Sequence, residues 1–139
     1  MTTHACSATE CNTASWQLLR GYDGGESFGS PCTRHAAPLV PDVPTSVLRV
    51  GDTLLFSHPN SDIVPCPLGR KNMSVSLSMD GNGDQWRDVL QVFAGPSAYS
   101  SLAALPGGRV GLLYEKSSDG KELIDCESIE LAIIDGLVE

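Results

Sequence analysis

Asn72-Met73-Ser74-Val75-Ser76-Leu77-Ser78-Met79, followed directly by Asp80-Gly81-Asn82-Gly83-Asp84-Gln85-Trp86, is the stretch on which the fold turns. In its first half Met73, Val75, Leu77 and Met79 alternate with Asn72, Ser74, Ser76 and Ser78, the period of a strand with one buried face. The second half has the makings of a tight turn. A carboxylate accepts backbone N–H bonds, glycines take positive φ, and an aromatic ring packs beneath the hairpin. The same order recurs upstream, where Arg20-Gly21-Tyr22-Asp23-Gly24-Gly25-Glu26-Ser27-Phe28 follows the apolar run Trp16-Gln17-Leu18-Leu19. Asp23 and Asp80 stand 57 positions apart, room for one supersecondary unit of several strands, which points to a propeller or similar repeat array.

Working outward, Ser46-Val-Leu-Arg-Val50 and Thr53-Leu-Leu-Phe-Ser57 flank Gly51-Asp52, a pair suited to a turn with positive φ, so they form a hairpin. Residues 99–105 and 109–115 surround Pro106-Gly107-Gly108 as a second hairpin, with Tyr99 opening its first arm and Val110, Leu112 and Tyr114 on one face of the second. Residues 126–134 alternate too, Ile129, Leu131 and Ile133 against Ser128, Glu130 and Ala132, and make a final strand. Gly29 to Thr45 and Pro59 to Arg70 are proline-rich and are expected as loops within one domain. Helical periodicity is nearly absent, so the chain is expected to be all-β.

Composition narrows the function classes. The 139 residues suit a single core, and 9 Lys and Arg against 17 Asp and Glu give a net charge of -8, which removes the basic surface a nucleic-acid partner requires. No apolar run is long enough for a membrane span. The five cysteines, Cys6, Cys11, Cys32, Cys66 and Cys126, contain no C-x-x-C pair and are expected as buried free thiols. His4, His35 and His58 lack metal-ligand spacing and are expected in loops, and the aspartate turns lack a calcium-loop pattern, so neither a metal nor another cofactor is expected. Asn72-Met73-Ser74 is a glycosylation triplet of a kind common by chance.

The two aspartate turns resemble the Asp-box of sialidases, Ser-x-Asp-x-Gly-x-Thr-Trp. Asp23, Gly25, Ser27 and Phe28 match the first box, with Gly21 in the serine place; Ser78, Asp80 and Trp86 match the second with one additional residue. Gly95-Pro96-Ser97-Ala98-Tyr99-Ser100-Ser101-Leu102 and then Leu113-Tyr114-Glu115-Lys116 are similar to the C-terminal segment of exo-α-sialidases, particularly the animal lysosomal type. The resemblance runs from Trp16 to Leu137 and leaves residues 1–15 unassigned. It implies residues 16–139 as the C-terminal part of a six-bladed β-propeller, about two to three blades of antiparallel sheet.

The resemblance also implies roles. A sialic acid carries a carboxylate on its anomeric carbon, which repels an Asp or Glu nucleophile but not a neutral tyrosine, and Tyr99 matches the family's nucleophile. Arg70 matches the third of three arginines that clamp the substrate carboxylate through planar guanidinium forks. Glu115 matches the carboxylate that orients another of them. Where the family has a second arginine, this chain has Asn12, Thr13, Ala14 and Ser15, and Arg20 stands out of register. The first arginine, the Asp acid/base and the Glu that activates the tyrosine belong to earlier blades of the family; Glu10 is a candidate for that Glu. A tyrosine without a base, at an ordinary pKa of about 10, is a weak nucleophile at neutral pH.

Two functions are therefore expected. One is an exo-α-sialidase removing terminal sialic acid from glycoproteins, oligosaccharides or gangliosides in a lysosomal or other secretory-pathway compartment; this chain is expected to be an incomplete part of that enzyme, inactive by itself. The other is a non-catalytic propeller piece that binds carbohydrate or a protein partner. A partial propeller leaves open edges and apolar faces, so self-association is expected as well.

Overall fold

A computed structural model describes residues 43–61, 70–118 and 127–138, the isolated positions 23, 26 and 27, and the backbone of short strands at 4–5, 16–18 and 33–34. Every regular element among these residues is a β-strand. Strands β1 (His4–Ala5), β2 (Trp16–Leu18) and β3 (Thr33–Arg34) form a three-stranded antiparallel sheet. β1 lies in the segment left unassigned from sequence, and β3 lies within a stretch expected to be loop. Strands β4 (Ser46–Val50), β5 (Thr53–Pro59), β6 (Lys71–Ser78), β7 (Trp86–Leu105), β8 (Arg109–Lys116) and β9 (Ser128–Ile134) follow one another in order in a curled six-stranded antiparallel sheet. No helix among the described residues is long and apolar enough to cross a membrane.

The hairpin of β4 and β5 forms around Gly51-Asp52, with Val50 opposite Thr53 and Gly51 at φ 58°, a conformation glycine reaches without steric cost. β5 runs two residues beyond the expected end, so Pro59 is a buried strand terminus rather than the start of a loop.

β7 is 20 residues long, several times the usual strand. It is not a strand that Tyr99 opens; Tyr99 lies well inside it. What changes near Gly95-Pro96 is the partner. Residues 86–96 pair with β6 and residues 97–105 with β8. Proline has no N–H to donate, so it is tolerated where one ladder hands over to the next. Three register shifts against β6 add residues to β7, and such bulges bend and twist a strand. The curl brings the far half of β7 back to the start of β4, where the Leu102 N–H donates to Ser46 Oγ at 3.0 Å.

Leu55, Met73 and Val75 from one half of the curl meet Leu102, Val110, Leu112, Tyr114 and Ile134 from the other in the main core. Two faces differ from the alternation read in the sequence. Ser74, Ser76 and Ser78 are as buried as Met73 and Val75, so β6 is covered on both sides, while Met79 is exposed. On β9 the three aliphatic residues do share a face, but that face is open, and the buried side is the one bearing Ile134.

Candidate active site

The handover at Gly95-Pro96 is also where the candidate site residues meet. Arg70 immediately precedes β6, and its carbonyl accepts the Ser97 N–H at 2.9 Å, while the Pro96 carbonyl accepts the Ser117 N–H at 3.0 Å. These bonds tie the start of β6 and the end of β8 to one point of β7. Between Ser97 and Ser100 the β7–β8 register shifts by one residue, because Ser97 faces Lys116 and Ser100 faces Tyr114. Ala98 and Tyr99 thus share the place opposite Glu115. A bulge of this kind re-aims side chains. Ala98 turns inward onto Val43, and Tyr99 is left 44% exposed.

The Arg70 guanidinium carbon stands 6.0 Å from the centre of the Tyr99 ring, at the limit of cation–π contact. A Glu115 carboxylate oxygen accepts the Tyr99 backbone N–H in a long bond of 3.4 Å. The fold therefore gathers Arg70, Tyr99 and Glu115, which lie on three different segments. This corner has a cation and a phenol, partly open to solvent, with a carboxylate bonded behind the phenol's own backbone. Such a group can receive an anionic ligand against Arg70 and the ring. Ser97 completes the corner with a fully buried hydroxyl that has no hydrogen-bond partner among the described residues, a feature the sequence signals only through its place beside Pro96. Glu10 lies outside the described residues.

Of the two aspartate turns, the one at 78–86 is described throughout. The Asp80 carboxylate accepts Ser78 Oγ at 2.6 Å, the N–H groups of Asn82 and Gly83 at 3.1 Å each, and that of Asp84 at 3.3 Å. The Ser78 hydroxyl bond, followed by the backbone donors, holds the Asp80 carboxyl well below the usual carboxylate range. Trp86 Nε1 donates to the Gly83 carbonyl at 2.9 Å, and its ring meets Phe56 at 5.5 Å. In the upstream turn the Ser27 hydroxyl donates to Asp23; Gly25 and Phe28 lie outside the described residues, as do all five cysteines.

Sequence reasoning missed a polar cluster on the serine face. His58, expected in a loop, lies in β5 and is fully buried. Its Nδ1 faces the Pro59 carbonyl at 3.0 Å and its Nε2 meets Ser76 Oγ at 2.7 Å, while Ser76 donates to Asp88 at 2.5 Å and Asn60 donates to the other Asp88 oxygen at 2.6 Å. Burial pushes the His58 pKa below its ordinary value, against the opposing pull of the Pro59 carbonyl and Asp88. His58 also stacks on Phe56 at 4.8 Å, and the cluster joins β5, β6 and β7. Asn72, of the glycosylation triplet, takes φ 60° and uses its amide to donate to the Asn60 carbonyl at 3.1 Å.

A sialidase from Micromonospora viridifaciens is 36% identical over 104 residues, covering 67% of this chain. The match supports a sialidase relationship. The chain spans only 15% of the length of that relative. No family model matches. The sialidase in question is bacterial, so the match supports the family resemblance and not the animal lysosomal type.

Proposed function

We propose that the chain contributes to the substrate site of a sialidase-type glycoside hydrolase that removes terminal sialic acid from glycoconjugates. The observation that carries this reading is the convergence of Arg70 and Glu115 on Tyr99 from separate segments of the chain, in a chain similar to a sialidase. Arg70 takes the substrate carboxylate. Tyr99 Oη attacks the anomeric carbon as the bond to the leaving oxygen breaks, and water then cleaves the tyrosyl-linked intermediate with retention. The proton for the leaving oxygen and the base for the tyrosine come from groups other than these three. Glu115 acts as a positioning residue: it holds the Tyr99 backbone at the bulge, and it is available to a further arginine.

On this reading β4 to the first half of β7 form one propeller blade and the rest of β7 with β8 and β9 part of the next, two to three blades of a six-bladed ring in all. Asp23, Gly25 and Phe28, and Ser78, Asp80 and Trp86, are its Asp-box turns. Glycoproteins, oligosaccharides and gangliosides are the substrate classes, and a lysosomal or other secretory-pathway compartment is the place; co-staining with compartment markers tests the latter.

A second reading, a carbohydrate-binding module without turnover, is favoured by one observation. Among the described residues Arg70 is the arginine that stands over the Tyr99 ring, while Arg49 donates to the Gly81 carbonyl and Arg109 to the Pro106 carbonyl. Hydrolysis of a fluorogenic α-sialoside, run beside Tyr99→Phe and Arg70→Met, separates the two. Turnover lost in Tyr99→Phe establishes the enzyme. Binding of a sialic-acid analogue without turnover establishes the module, and neither binding nor turnover removes both.

A further inference from the structure

The open side of β8 and β9 is unusual for a sheet face. Leu113 is 46% exposed, and Ile129, Leu131 and Ile133 are 63%, 62% and 46% exposed. Leu113 and Leu131 are register partners, and Leu105 and Leu131 approach each other over Gly111, so these side chains form one continuous patch. β9 is also the last strand of the six-stranded sheet, and no described strand pairs with its outer edge. An exposed apolar face together with an open backbone edge is a template for strand addition.

The sequence of β9 bears on what pairs with this open edge. Ser128-Ile-Glu-Leu-Ala-Ile-Ile134 is close to symmetric about Leu131. If two copies pair antiparallel with Leu131 on the twofold axis, Leu131 lies opposite Leu131, Ile129 opposite Ile133, and Glu130 opposite Ala132. This register keeps all six aliphatic side chains on the open face, where a slip of one residue would place them on opposite faces. It also puts no like charges directly opposite each other, which matters for a chain of net charge -8. Glu130 is already held within its own chain, ion-paired to Lys116 and accepting the Tyr114 hydroxyl at 3.0 Å. We propose that two copies of this chain associate by antiparallel pairing of β9, with Leu113, Ile129, Leu131 and Ile133 of each copy in one shared apolar face. The contact is isologous, so it closes as a dimer and leaves the β4 edge outside it.

Sedimentation velocity of the full chain over a concentration series tests this, beside Leu131→Lys, an exposed position where the folded monomer tolerates charge. The expected result is a discrete species of twice the 14.7 kDa chain mass that dissociates on dilution, with the dissociation constant raised about tenfold or more by Leu131→Lys. Concentration-dependent hydrogen exchange of the unaltered protein gives an independent reading. Amides of residues 129–133 should gain protection as concentration rises, while those of 46–50 should not. A monomer at every concentration overturns the proposal. So does a dimer or a broad aggregate that persists in Leu131→Lys, or protection that builds on β4 instead of β9.

Discussion

Replacing Phe56 probes the joint between the sheet and the 78–86 turn. Its side chain is fully buried, stacks on His58 at 4.8 Å with planes 19° apart, and meets Trp86 at 5.5 Å and 55°. Phe56→Ala removes the ring and leaves a cavity, and substitutions of that class cost about 3–5 kcal/mol. Phe56→Leu keeps most of the apolar volume and gives up the two ring pairs. At about 0.5–1.5 kcal/mol for each pair, the loss comes to roughly 1–3 kcal/mol. Against a total stability of about 5–15 kcal/mol for a domain, either change is readily measured. Urea unfolding of the full chain, followed by tryptophan fluorescence and far-UV circular dichroism, should show a lower midpoint with an unchanged slope. The near-UV signal should also weaken, because Trp86 loses the ring that fixes its orientation. A Phe56→Ala variant within about 1 kcal/mol of the parent, or a Phe56→Leu variant with an unaltered near-UV spectrum, would refute this packing.

Other consequences follow from charge. His58 has a folded-state pKa below its unfolded value of 6.5, so its contribution is fully present above pH 6.5 and is lost as pH falls toward the folded value. Urea midpoints should therefore drop between neutral and mildly acidic pH, and less steeply in His58→Gln; equal slopes would contradict the burial. Asp80 has a depressed pKa, so its contribution is present above the usual carboxylate range and is lost as pH falls below it. Asp80→Ala should lower the midpoint at neutral pH and flatten the acid limb, and an unchanged acid limb would count against the turn. Tyr114, desolvated and bonded to Glu130, has its pKa pushed up to about 12. Ultraviolet titration should show a late-ionising tyrosine that is absent in Tyr114→Phe.

Local chemistry made parts of the fold legible. Gly51-Asp52 specifies the β4–β5 hairpin because the turn needs positive φ at that point, and Val110, Leu112 and Tyr114 face the core as their spacing implies. The remainder depends on what lies across the strand. Periodicity tells which residues share a face but not whether that face is covered, hence the open side of β9 and the buried serines of β6. Those serines pass for a solvent face because the partners that satisfy Ser76, His58 and Asp88, come from other strands. Tyr99 reads as the start of a strand, whereas the strand is already running and only its partner changes at Gly95-Pro96. At the candidate site, only the family resemblance singles out Tyr99, Arg70 and Glu115, since nothing local connects them. Their meeting depends on the bulge at Ala98-Tyr99, a register feature invisible until β8 is in place.

The most direct measurement is a titration of the isotope-labelled chain with a non-hydrolysable sialic-acid analogue, followed by amide NMR and repeated with Arg70→Met. The account predicts saturable shifts centred on Arg70, Ser97, Tyr99 and Glu115, with affinity reduced about tenfold or more in Arg70→Met, the loss of one charge-assisted contact. An absence of binding, shifts located elsewhere on the sheet, or an affinity indifferent to Arg70→Met would contradict it.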